Sequence, residues 1–131
     1  MSELIETLKA EHATIGKVLG MLAGAGIDND EGRRHLEAAK AGLLAHLQRE
    51  DDHLYPALLE AAEDDPIFAD ALEFFEDDIA GVATAALAFF AKYEDGGPGG
   101  DFEADFAALA GVLGQRIRKE ESVLYQLYEK L

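Results

Sequence analysis

Four stretches of this chain carry apolar residues that step by three and four along the sequence, the spacing of helices that share one buried seam. The first runs Ile5, Leu8, His12, Ile15, Leu19, Leu22, and the second Leu36, Ala39, Leu43, His46, Glu50, His53, Ala57. The third reads Ala69, Leu72, Glu76, Ile79, Ala83, Ala86, Phe90, with Phe68, Phe75, Val82 and Phe89 alongside. The fourth reads Phe102, Phe106, Leu109, Leu113, Arg116, Glu120, Val123, Leu127. No stretch alternates as a half-buried strand would. The punctuation agrees with four helices. Ser2, Asp65 and Asp101 stand where caps belong, and Asp65 is followed by Pro66, suited to a first helical position. Gly24-Ala25-Gly26 and Glu94-Asp95-Gly96-Gly97-Pro98-Gly99-Gly100 interrupt the pattern, and Pro56 should kink or end the second helix near Tyr55. The expected fold is all-α: an up-down-up-down antiparallel four-helix bundle, with all 131 residues in one domain.

Composition narrows the function. A formal net charge of −16 argues against nucleic acid and anionic membrane surfaces, and it attracts cations. With no cysteine there is neither a disulfide framework nor a thiolate site. No apolar run is long enough to cross a bilayer, and the first residues lack the features of a secretory signal, so a cytoplasmic location is expected.

The seams are interrupted by ionisable residues: His12, His46, Glu50, Glu76, Arg116 and Glu120. At about 1.5 Å of rise per residue, all six fall within about two helical turns of one level in the bundle. A polar layer across an apolar core is costly unless its members satisfy one another or share an ion. His46 and Glu50 lie one turn apart on one helix face, placed to grip a single cation together. An internal echo supports the alignment. His46-x-x-x-Glu50-x-x-x-Leu54-Tyr55 recurs as Arg116-x-x-x-Glu120-x-x-x-Leu124-Tyr125, and His12-x-x-Ile15 as Glu76-x-x-Ile79.

With Glu11-His12-x-x-Ile15, His46-x-x-x-Glu50, Leu54-Tyr55-Pro56 and Glu120-Glu121-x-x-Leu124-Tyr125, the chain resembles the hemerythrin-like family of HHE cation-binding domains over essentially its whole length. The resemblance implies non-haem iron, one or two ions, held by His12, His46, Glu50, Glu76 and Glu120. It implies that His12 and His46 serve the first iron, that Glu50 and Glu120 bridge, and that Glu76 replaces the isolated histidine of the second half. Two positions depart from the family pattern, which has histidine at 76 and 116. Glutamate can still bind iron as a hard oxygen ligand. Arginine cannot, since it stays protonated and offers only donors. Two outcomes follow: a carboxylate-rich di-iron site, or a site in which the Arg116 guanidinium takes the second metal's place.

His53 reads as a rim group, His35 as surface, Tyr55 and Tyr125 as packing residues within reach of the polar layer, and Asp77 as a reserve ligand if the third helix is rotated. The implied task is sensing or handling of iron, dioxygen or peroxide. The competing reading is a metal-free helical module working through protein partners, and Arg116 is the feature that favours it. Acid–base hydrolysis is a third reading, poorly supported because no substrate-binding motif accompanies the carboxylates.

Overall fold

The computed structural model describes residues 3–94 and 101–131. The expected cap at Ser2, the glycine loop at 95–100 and the seam side chain of Ile79 lie outside what is described. The helices are α1 (Glu3–Ala25), α2 (Asp30–Arg49), α3 (Tyr55–Ala62), α4 (Pro66–Glu94), α5 (Phe102–Lys119) and α6 (Tyr125–Glu129). Short π-helical turns at Glu50–Leu54 and Glu120–Leu124 join α2 to α3 and α5 to α6, so the six segments make four rods. No strand occurs among the described residues. Neighbouring contacts run α1 to α2, α2 to α4, α4 to α5 and α5 back to α1, which closes the four-helix bundle.

The turns follow from local chemistry. Gly26 takes a φ of 71°, and its N–H closes α1 on the Leu22 carbonyl at 2.9 Å; glycine adopts this left-handed conformation at no steric cost. Asn29 caps α2 by accepting the Gly32 N–H at 2.7 Å. Gly32 is required there, because a Cβ on it would lie 1.6 Å from the Gly26 carbonyl oxygen. Asp65 caps α4 by accepting from the N–H groups of Ile67 and Phe68, both at 3.1 Å. Asp101 makes no side-chain cap bond, unlike the expectation from sequence.

The first seam is buried as expected, from Ile5 to Leu22. The second and fourth hold only as far as Glu50 and Glu120. At each of these the N–H of a residue five positions on, Tyr55 or Tyr125, bonds back to the glutamate carbonyl. Each wide turn adds one residue to the helix and advances every later side chain by one position. Leu54 and Leu124 are therefore fully buried in place of the seam positions His53, read as a rim group, and Val123, and both of those are exposed. Pro56 follows the first π turn and opens α3, a place where its missing N–H costs little.

The core is split in two. One apolar cluster gathers Ile15, Leu19, Leu22, Leu43, Ala86, Phe90 and Leu113, and the other Ile5, Leu8, Leu54, Leu58, Leu72, Phe75 and Leu124. Between them sits a layer of buried polar residues: His12, His46, Glu50, Arg116 and Glu120.

Candidate metal centre

Three of the four rods deliver polar residues to this layer, because those residues replace apolar ones on a packed seam. His12 comes from α1, His46 from the last turn of α2, and Glu50 and Glu120 from the first positions of the two π turns. The Nε2 atoms of His12 and His46 face each other at 3.0 Å. His12 Nε2 lies 3.7 Å from a Glu120 oxygen, and His46 Nε2 lies 3.6 Å from Oε1 of Glu50. His12, His46 and Glu120 offer ligand atoms all within 4.8 Å of one another.

The far nitrogen of each imidazole is held by a carboxylate. His12 Nδ1 stands 2.7 Å from Glu121, and His46 Nδ1 stands 3.1 Å from Glu11. A carboxylate at Nδ1 holds the proton there and leaves the Nε2 lone pair free for a cation. Glu11 is itself tied to Arg49 at 3.1 Å. The Tyr125 hydroxyl lies among the candidate ligands. It donates to Glu50 Oε2 at 2.9 Å, with Glu120 Oε2 at 3.2 Å and His12 Nε2 at 3.1 Å.

Without a cation these groups strain one another's ionisation. Burial, together with the neighbouring Glu120 carboxylate, pushes Glu50 up to about 10, while Glu120 falls to about 2. Burial opposes that fall, but His12, Glu50 and Arg116 outweigh it. Burial also works against a charged His12, yet Glu120 and Glu121 raise its affinity for a proton. His46 shifts the other way, lowered by burial and by the facing His12. Folding thus draws protons toward Glu50 and His12 and away from Glu120 and His46. Glu50 Oε1 is buried and has no hydrogen-bond partner. A buried carboxyl oxygen seldom goes unpaired, and a cation would supply its partner. Two imidazoles and two carboxylates make a donor set that suits a transition-metal ion, so the residues fit one.

Two other candidates are placed differently. Glu76 is not brought to the layer: α4 turns Leu72, Phe75 and Val82 inward. Glu76 is left half-buried in a surface groove with Leu59, Ala62 and Glu73. Its expected place on the seam fails because Phe75, one residue earlier, fills the core instead. Asp77 is exposed. Arg116 does enter the layer, only 3% exposed, and its guanidinium reaches Asp78 and the Tyr55 hydroxyl, each at 3.1 Å. It stacks 5.1 Å from the Phe75 ring and sets Nε 3.7 Å from Glu120.

Sequence reasoning assigned no role to Glu11, Glu121 or Asp78. The doublets Glu11-His12 and Glu120-Glu121 were the available signal, since a carboxylate beside a seam residue can reach round its helix to the next one. Asp78 gave no such signal among the acidic neighbours Glu76 and Asp77.

Comparison with known families identifies a hemerythrin HHE cation-binding domain over residues 3–128. Searches of curated proteins and of solved structures find no match. A match of that extent, on a four-helix bundle with a buried histidine–glutamate cluster, settles the family: the chain belongs to the hemerythrin HHE cation-binding domains.

Proposed function

We propose that the domain is a non-haem iron protein that holds one ion among His12, His46, Glu50 and Glu120, and that it serves to sense or handle dioxygen, peroxide or iron itself. Arg116 stands in the second half as a built-in cation, in place of a second metal. The observation that carries the reading is the pair of facing Nε2 atoms, 3.0 Å apart, each on a ring whose other nitrogen is fixed by a carboxylate. Two neutral imidazoles in that arrangement turn lone pair against lone pair, which a cation between them relieves.

Iron would supply one-electron chemistry and affinity for a small oxygen ligand. The protein's own groups prepare the place. Glu121 and Glu11 lock the two rings by hydrogen bonding. Arg116 offsets part of the charge on Glu120. The two apolar clusters exclude water from above and below. A small cavity of about 20 Å³ between Ile15, Leu43, Leu47, Val82 and Leu113 opens beside His12, His46 and Arg116.

The test is elemental analysis after anaerobic ferrous loading. About one iron per chain is expected in the native protein, and less than about a tenth of that in His46→Ala. The second reading, a metal-free module acting through partner contacts, rests on Arg116, whose guanidinium already pairs with Glu120 and Asp78. Less than about a tenth of an equivalent of any transition metal in the loaded native protein would establish it instead.

A further inference from the structure

We propose that Tyr125 is itself an iron ligand, binding through its phenolate oxygen, so that the ferric protein is coloured. The inference rests on the single-iron reading above. Its basis is a set of distances. Two donor atoms in adjacent positions around an octahedral ion, each about 2.1 Å from it, are about 3 Å apart. His12 Nε2 and His46 Nε2 are separated by 3.0 Å. The Tyr125 oxygen lies 3.1 Å from His12 Nε2, 2.9 Å from Glu50 Oε2 and 3.2 Å from Glu120 Oε2. It keeps the spacing of a neighbouring ligand to three of the four groups proposed to hold iron.

Hydrogen bonding alone accounts poorly for this position. A phenol carries one hydrogen, and here it meets three atoms that all present lone pairs when Glu50 is ionised and each histidine holds its proton on Nδ1, the states in which these groups bind a cation. One hydrogen cannot serve three acceptors. A cation bound to the oxygen, to both carboxylates and to both rings satisfies all of them together. Tyr125 is fully buried and stacks on His12 with ring centroids 5.6 Å apart, so its oxygen is held in place before any ion arrives. Ligation exchanges the O–H bond for an O–Fe bond and releases one proton. A phenolate is a hard anionic ligand and favours the ferric ion. Tyr55, its counterpart in the sequence echo, is excluded from the same role because its hydroxyl accepts from Arg116 at 3.1 Å.

The experiment loads the native protein and the variants Tyr125→Phe and Tyr55→Phe with ferrous iron, oxidises them in air, and records iron content, visible absorption and resonance Raman spectra. A phenolate-to-ferric charge-transfer band with enhanced tyrosine ring modes is expected in the native protein and in Tyr55→Phe. Tyr125→Phe should retain iron and lose the band. An iron-loaded native protein with no such band overturns the assignment while leaving the single-iron reading intact, as does a band that persists in Tyr125→Phe. A native protein that takes up no iron overturns both. If Tyr125→Phe does not fold, native protein with ring-deuterated tyrosine decides: ring modes enhanced in the band must shift, and a band without them ends the proposal.

Discussion

Among the carboxyl groups of the polar layer, Glu50 is the one whose ionisation folding opposes. In the folded apo protein it holds a proton up to about 10, against an ordinary value of 4.5. A carboxyl group whose affinity for a proton is raised by folding stabilises the fold fully below the unfolded value and loses that contribution as pH rises through the folded one. Apo stability should therefore fall as pH rises from 4.5 to about 10. Glu120, held at about 2, has the opposite sign, and its contribution disappears only as pH falls below 4.5 toward that value. Glu50→Gln should flatten the alkaline decline and stabilise the apo protein at high pH, while abolishing iron uptake. Urea unfolding across that pH range checks it, and an unchanged slope in the variant would place the effect elsewhere. Arg116 is the complementary case. Arg116→Ala leaves Glu120 buried without its cation and should cost about 3–5 kcal/mol in the apo protein. Arg116→His should instead raise iron content from about one to about two per chain, since it adds a third imidazole to the layer, beside Glu120 in the second half. Iron content unchanged from the native protein would show that Arg116 is not what limits the site.

At the scale of the element, the two π turns decide where the site lies. Each begins at a candidate ligand, Glu50 or Glu120, and each ends just before a tyrosine that reaches the polar layer. A regular helix would carry Tyr55 and Tyr125 about 100° around the rod and away from the layer. The turns also differ in a way that can be measured. Deleting the exposed Asp52 should convert the first to ordinary α-helix and leave Pro56 in a helix interior, at a cost of about 3 kcal/mol or more. Deleting Ser122 from the proline-free copy should cost less, and adding Pro56→Ala to the Asp52 deletion should recover most of the loss. Equal costs for the two deletions, read by urea unfolding, would mean that proline is not the source of the difference.

For the whole molecule the dominant quantity is the net charge of −16. Self-repulsion at this density opposes the compact state, and salt screens it over about 10 Å at 0.1 M. The surface pairs Lys40–Glu94 and Lys92–Asp105 weaken in salt as well, but exposed pairs contribute little. Thermal stability should therefore rise as sodium chloride goes from about 10 mM to about 150 mM, by scanning calorimetry. A fall would mean that the pairs outweigh the repulsion. The same charge favours capture of a cation. No helix among the described residues is long and apolar enough to cross a membrane.

Much of this protein is readable in its sequence for a simple reason. Helical seams have a fixed period, so Ile5 to Leu22, and Leu36 to Glu50, announce both the helices and their buried faces, and the ionisable residues on those seams announce the polar layer. Periodicity fails where the period itself changes. The π turns are not written in any spacing, so the seams run on through His53, read as a rim group, and Val123, whereas Leu54 and Leu124 are the residues buried. The rotation of α4 was equally hidden, because Phe75 and Glu76 stand side by side and only packing against the other three helices decides which of them faces inward. Nor could spacing show that Glu121 and Glu11 reach across to histidines on other helices, or that Tyr125 meets three candidate ligands at once. Those contacts join residues as many as 113 positions apart, and they exist only when four rods close on one another.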